Sequence, residues 1–304
     1  MSEVNNKKRV GILRGGTGDY YETSLKEGGH IISHILDLSD KWKPVDILID
    51  KEGVWHAGGV PIRPTDLIDK VDVVWNTSHS NFSQALKDFI PFVRTNPFSR
   101  TLQESRTMLE NYMKAIEVKM PKHIILPLYQ EDFDGRRDEY ALKKAKEVFE
   151  KFPSPWIVKP LTYDPNVGVY VAKTFPELAY AIEDISQHQK SILVEELISG
   201  KNAFMHTVSD FRGENVYVFP VKNFSKNEKE KLISISKDLH NHFENPNYLK
   251  SNFVLNNKKG IFLTSVEFLP DLKQNSHFCK SCESVGAEMH HVVEHILENT
   301  LSGA

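Results

Sequence analysis

Apolar residues follow two rhythms along the chain. Short runs rich in Val, Ile, Leu and aromatic residues, bounded by Gly, Pro, Asn or Asp, predict strands at 8–14, 45–50, 71–76, 123–128, 156–158, 169–171, 192–198, 203–208, 216–219, 249–256 and 259–267. Between them, apolar residues recur at helical spacing over 22–36, 99–119, 137–152, 225–243 and 287–297. Trp55 and the Gly58-Gly59-Val60-Pro61-Ile62 segment predict a short hairpin, and Asn256-Asn257-Lys258-Lys259-Gly260 predicts a second turn.

Strand and helix alternate, so the expected class is α/β. The first strand runs into Gly15-Gly16-Thr17-Gly18 and then a helix, which is how a doubly wound unit begins. That turn is neither GxGxxG nor a P-loop, since no lysine follows the glycines. A chain of 304 residues with 40% apolar content is expected to form two or three domains. Its net charge of −3 gives no strong attraction to nucleic acid or an anionic membrane. No apolar run approaches the ~18 residues that span a bilayer. The first ten residues lack the apolar core of a signal peptide, so a cytoplasmic location is expected. Cys279 and Cys282 read as two reduced structural thiols, and the nearby His290, His291 and His295 as surface or packing residues.

The candidate chemistry gathers in three stretches. Trp156-Ile157-Val158 ends in Lys159, and a loop then closes on Asn166-Val167-Gly168. A lysine where a buried strand meets a loop can aim a point charge at an anion. Taken alone, the pattern favours an ordinary hairpin with a solvated lysine. Ile192-Leu193-Val194 ends in Glu195 and Glu196, with the turn Ser199-Gly200 behind it, and the strand from Gly260 ends in Glu267.

In that order these stretches resemble the ATP-grasp superfamily, and within it the D-alanine–D-alanine ligases. The likeness runs from residue 9 to 300. It implies a Rossmann-like N-terminal domain over 1–100 and two ATP-grasp subdomains, central over 101–194 and C-terminal over 195–304. It implies ATP and Mg2+ as cofactors, a small amino acid such as D-alanine as substrate, a homodimer that no segment of the chain demands, and a role in peptidoglycan synthesis. Residue by residue, it implies that Lys114, Lys159 and Gly168 meet ATP phosphates. Glu195 would then lie at the adenine site and Asn202 at the ribose. Glu267 and Asn252 would hold magnesium, Lys250 would steady the tetrahedral intermediate, and Glu22, or Asp19, would anchor a substrate ammonium.

The chain also departs from the family pattern. Glu110 stands where the family has a phosphate-binding lysine, and Leu269 where it has a metal-binding asparagine. Tyr20 takes the place of an ammonium-binding glutamate, and Phe278 that of a substrate-binding serine after His277. Pro165 and Asp164 alter the phosphate loop, Ser78-His79-Ser80 is a loose match to a His-Gly stretch, and the long loop after Val218 is missing. The expected function is an ATP-dependent carboxylate–amine ligase that works through an acyl phosphate. Two alternatives follow from the departures: an impaired homologue that binds a nucleotide or peptide, and a ligase for a different amino acid with metal ligands recruited from Asp271 or Glu196.

Overall fold

The computed structural model describes residues 7–18, 20–78, 86, 88–93, 98–161 and 167–303. Asp19, His79, Ser80, Asp164 and Pro165 therefore lie outside the described residues, as does most of the loop after Lys159. In chain order the elements are β1 (Lys8–Gly15), α1 (Tyr21–Asp37), β2 (Trp42–Ile49), β3 (Trp55–Ala57), β4 (Val60–Ile62), β5 (Val73–Asn76), α2 (Ser99–Glu104), α3 (Arg106–Lys114), β6 (His123–Leu126), α4 (Tyr129–Asp132), α5 (Arg137–Lys151), β7 (Trp156–Pro160), β8 (Tyr170–Ala172), α6 (Phe175–Ser186) and β9 (Ile192–Glu196). They continue as β10 (Lys201–Ser209), β11 (Val216–Val218), α7 (Lys226–His242), β12 (Tyr248–Asn256), β13 (Gly260–Glu267), α8 (His277–Glu283) and α9 (Met289–Ser302).

The chain packs as two compact units. One comprises residues 1–100, 204–251 and 266–304; the other comprises 101–203 and 252–265. In the first, strand order is β4-β3-β2-β1-β5, with β1 parallel to both β2 and β5. Parallel pairing buries both faces of a central strand, and Val10, Ile12 and Leu13 of β1 are fully buried. Gly15 ends β1 at φ +88, where a side-chain carbon would stand 2.2 Å from the Ile49 carbonyl oxygen. Only glycine fits there, and the chain can turn at once into α1. The same unit extends its core into the C-terminal segment: Ile31, Ile35 and Trp75 share one apolar cluster with Phe278, Val292 and Ile296.

The second unit is built on the sheet β6-β9-β7-β8, in which each adjacent pair is antiparallel. Helices α5 and α6 cover it, with Tyr140, Val148, Trp156, Ile182 and Val194 in its core. The sheet β11-β10-β12-β13 completes the fold, and the division between units falls within β10, β12 and β13.

The expected helix over 99–119 is in fact two. Ser105 breaks it by capping α3, its Oγ accepting a hydrogen bond from Met108 N, and α3 stops at Lys114. Helices α6 and α8 are elements that periodicity did not single out. Residues 219–225 join β11 directly to α7, and no long loop intervenes. Among the described residues no helix is long and apolar enough to cross a membrane.

Candidate active site

In the second unit the chemistry centres on Glu195. It lies near the end of β9, between β6 and β7, where the register sets it opposite His123 on one side and Ile157 on the other. Its side chain is buried and held by two cations: Arg106 Nη2 lies 2.6 Å from Oε1 and Lys159 Nζ lies 2.7 Å from Oε2. A buried carboxylate is tolerable only when paired in this way. Arg106 is itself buried and donates to the Thr264 carbonyl oxygen at 2.6 Å. Burial pulls its guanidinium below the ordinary value against the opposing charges of Glu195 and Glu110. His123 is pushed down chiefly by burial and next by the charge of Arg106.

Glu110 closes the cluster, 3.7 Å from Lys114 Nζ and 3.9 Å from His123 Nε2. Glu110 is not an isolated acid. Here three cations, Arg106, Lys114 and Lys159, accompany two carboxylates, Glu110 and Glu195, and the group carries net positive charge. Lys159 is one-third exposed and offers three N–H donors, of which Glu195 takes one.

In the first unit Lys250 of β12 lies 2.9 Å from Glu267 of β13. Its charge reaches His206 and His277. Buried His206 joins Tyr248 at 2.8 Å through Nδ1 and His277 at 2.9 Å through Nε2. Burial, then the charges of His277 and Lys250, hold His206 well below the usual histidine range. Burial and then Lys250 and Lys280 lower His277.

The remaining expected site residues fall as follows. Asn252 donates its amide N–H to Ser265 Oγ at 2.7 Å. Glu22 is exposed in the first turn of α1, Asn202 is exposed near the start of β10, and Gly168 is exposed where the loop after Lys159 re-enters the described chain. The structure thus brings Lys159 to Glu195, and Lys250 to Glu267. Leu269 packs against the apolar core of the first unit and presents no donor, and Phe278 is buried there.

Among the described residues no three His, Cys, Asp or Glu side chains gather as a metal site. Magnesium needs only one or two protein carboxylates when it arrives on substrate phosphates. Glu267 meets that minimum, with Lys250 on one of its oxygens.

Two contributors were missed in the sequence, Arg106 and His206. A signal existed for Arg106: it continues the buried stripe of Leu109 and Met113, and a cation on an apolar stripe calls for a buried acid. His206 sits in an apolar strand that carries no comparable mark.

The family described as D-ala D-ala ligase C-terminus matches residues 113–209. The D-alanine–D-alanine ligase of Oceanobacillus iheyensis is 23% identical over 239 residues, covering 64% of this chain and 62% of that one. The match thus spans about three-fifths of the length of the first curated relatives. That of Geotalea uraniireducens is 21% identical over 324 residues, covering 98% and 96%. D-alanyl-alanine synthetase A from Vibrio cholerae superposes with a TM-score of 0.72 at 17% identity, covering 98% of this chain and 99% of that one. The VanG D-Ala:D-Ser ligase from Enterococcus faecalis gives 0.72 at 15%, covering 97% and 99%. These likenesses extend over nearly the whole chain. Residues 113–209 thus resemble the D-ala D-ala ligase C-terminus family, and the chain has the fold of the solved D-alanine–D-alanine ligases, the ATP-grasp fold.

Proposed function

We propose that the chain is an ATP-dependent carboxylate–amine ligase of the D-alanine–D-alanine type. The observation that carries this reading is the Arg106–Glu195–Lys159 cluster, which fixes a lysine with free N–H donors at the end of a central strand. In this reading a carboxylate takes the terminal phosphoryl group of ATP, and an amine then displaces phosphate to form the amide. No protein nucleophile is needed, because the acyl phosphate is already activated. Protein catalysis is therefore positioning and charge stabilisation.

Lys159 and Lys114 offset phosphate charge, and Gly168 ends the phosphate loop. Glu195 lies at the base and Asn202 at the ribose. Lys250 steadies the oxyanion of the tetrahedral intermediate as a point charge. Glu22 anchors the ammonium of the first amino acid. Glu267 would hold magnesium, with Asn252 as a neutral donor, and the ion would supply charge neutralisation to the phosphates. D-Alanine is the proposed substrate, on the names of the relatives.

The test is phosphate release from ATP and magnesium, with and without D-alanine, beside a Glu267→Gln variant. Release that depends on D-alanine and falls at least about a hundredfold in the variant is expected. Release that ignores D-alanine, or none from a folded protein at millimolar ATP, overturns the reading.

A further inference from the structure

Glu195 is a buried acid with a separate cation on each oxygen. It is 4% exposed, and Arg106, itself 7% exposed, lies on Oε1 while Lys159 lies on Oε2. The two cations are not equivalent. Arg106 opens α3, whose start is set by the Ser105 cap, and its Nη1 is tied to the Thr264 carbonyl oxygen of β13. A cation in the first turn of a helix opposes the helix dipole. Glu195, rather than the helix, therefore holds that charge in place. Lys159 stands at the end of β7, is one-third exposed, and has N–H donors beyond the one that meets Glu195.

What Lys159 can do depends on what it leaves behind. A buried carboxylate stripped of its only counter-ion is strongly destabilising. If Lys159 alone paired with Glu195, moving its ammonium to another anion would strand that charge. With Arg106 present, Glu195 stays paired at Oε1 when Lys159 departs. The neighbouring Glu110 and Lys114, 3.7 Å apart, offset one another.

We propose that Arg106 is a positioning residue, the standing counter-ion of Glu195, which lets Lys159 exchange that carboxylate for a phosphate of ATP. The proposal rests on the nucleotide part of the reading above and on neither amino acid. The exchange replaces one anionic acceptor by a more highly charged one, so the ammonium gains from it once the carboxylate is compensated.

The test is binding of a non-hydrolysable ATP analogue with magnesium to the whole chain, read by calorimetry, so that no turnover is needed. Arg106→Met is expected to weaken binding about tenfold to a hundredfold, the worth of a hydrogen bond to a charged group, because Lys159 then stays on Glu195. Adding Glu195→Gln removes the acid that detains the lysine, and the double variant is expected to recover most of that loss. A purely structural role for Arg106 predicts the reverse, since a second buried substitution deepens the damage. A double variant that binds no more tightly than Arg106→Met overturns the proposal, as does an Arg106→Met protein with wild-type affinity.

Arg106→Gln keeps a donor for the Thr264 carbonyl and removes the charge. It takes the place of Arg106→Met in the same comparison, with the same outcomes, if the methionine variant does not fold. Phosphate release that ignores D-alanine, with the expected binding pattern intact, overturns the ligase reading and leaves the proposal standing. A folded wild-type protein that binds no nucleotide overturns both.

Discussion

At the scale of single residues, Arg106 carries more than its place in the sequence announces. It is the buried partner of a buried acid, and removal of one member of such a pair costs about 3–5 kcal/mol. Arg106→Met should lower the unfolding free energy in urea by that order and weaken ATP binding, since Glu195 would then depend on Lys159 alone. A loss under about 1 kcal/mol would contradict the pairing.

His206 gives a pH-dependent prediction. Burial and then the charges of His277 and Lys250 hold its folded value well below the ordinary 6.5 of a histidine. The unfolded chain therefore binds more protons below pH 6.5, and stability present above that pH is lost as pH falls. Between pH 7.5 and 5.5 the wild type should lose about 1 kcal/mol more than His206→Phe. Parallel losses by chemical denaturation would contradict a neutral buried His206.

At the scale of elements, the turn between β9 and β10 depends on close backbone approach. A side-chain carbon on Gly200 would stand 2.1 Å from the Leu255 carbonyl oxygen, which is backbone and cannot rotate away. Gly200→Ala should destabilise by about 1–3 kcal/mol, as overpacking does, and unfolding transitions would measure it.

Elements were the most legible level. Period-two and period-3.6 patterns locate nearly every strand and long helix, because each buries one face. The break at Ser105 was not legible from periodicity, since the apolar stripe continues through it. A serine three residues before a helical N–H was its local mark. The site was legible where a charge ends an apolar strand, as at Lys159, Glu195 and Glu267. It was illegible where a polar side chain is buried by partners distant in sequence. Arg106 meets Glu195 across 89 positions and His206 meets His277 across 71, and one sequence does not record such distances.

At the scale of the whole molecule, the chain has the ATP-grasp fold of the solved D-alanine–D-alanine ligases. Leu269 and Phe278 pack in the core of the first unit, whereas Lys159 pairs with Glu195 and Lys250 with Glu267. Fold alone does not fix chemistry, so the central claim is that a carboxylate is activated by phosphoryl transfer. The most direct measurement uses D-alanine labelled with oxygen-18 in its carboxylate, incubated with ATP and magnesium. An acyl phosphate returns one carboxylate oxygen to the released phosphate when the amine attacks. The account predicts labelled inorganic phosphate in step with dipeptide formation. Phosphate released without label, or dipeptide formed without it, would contradict the account.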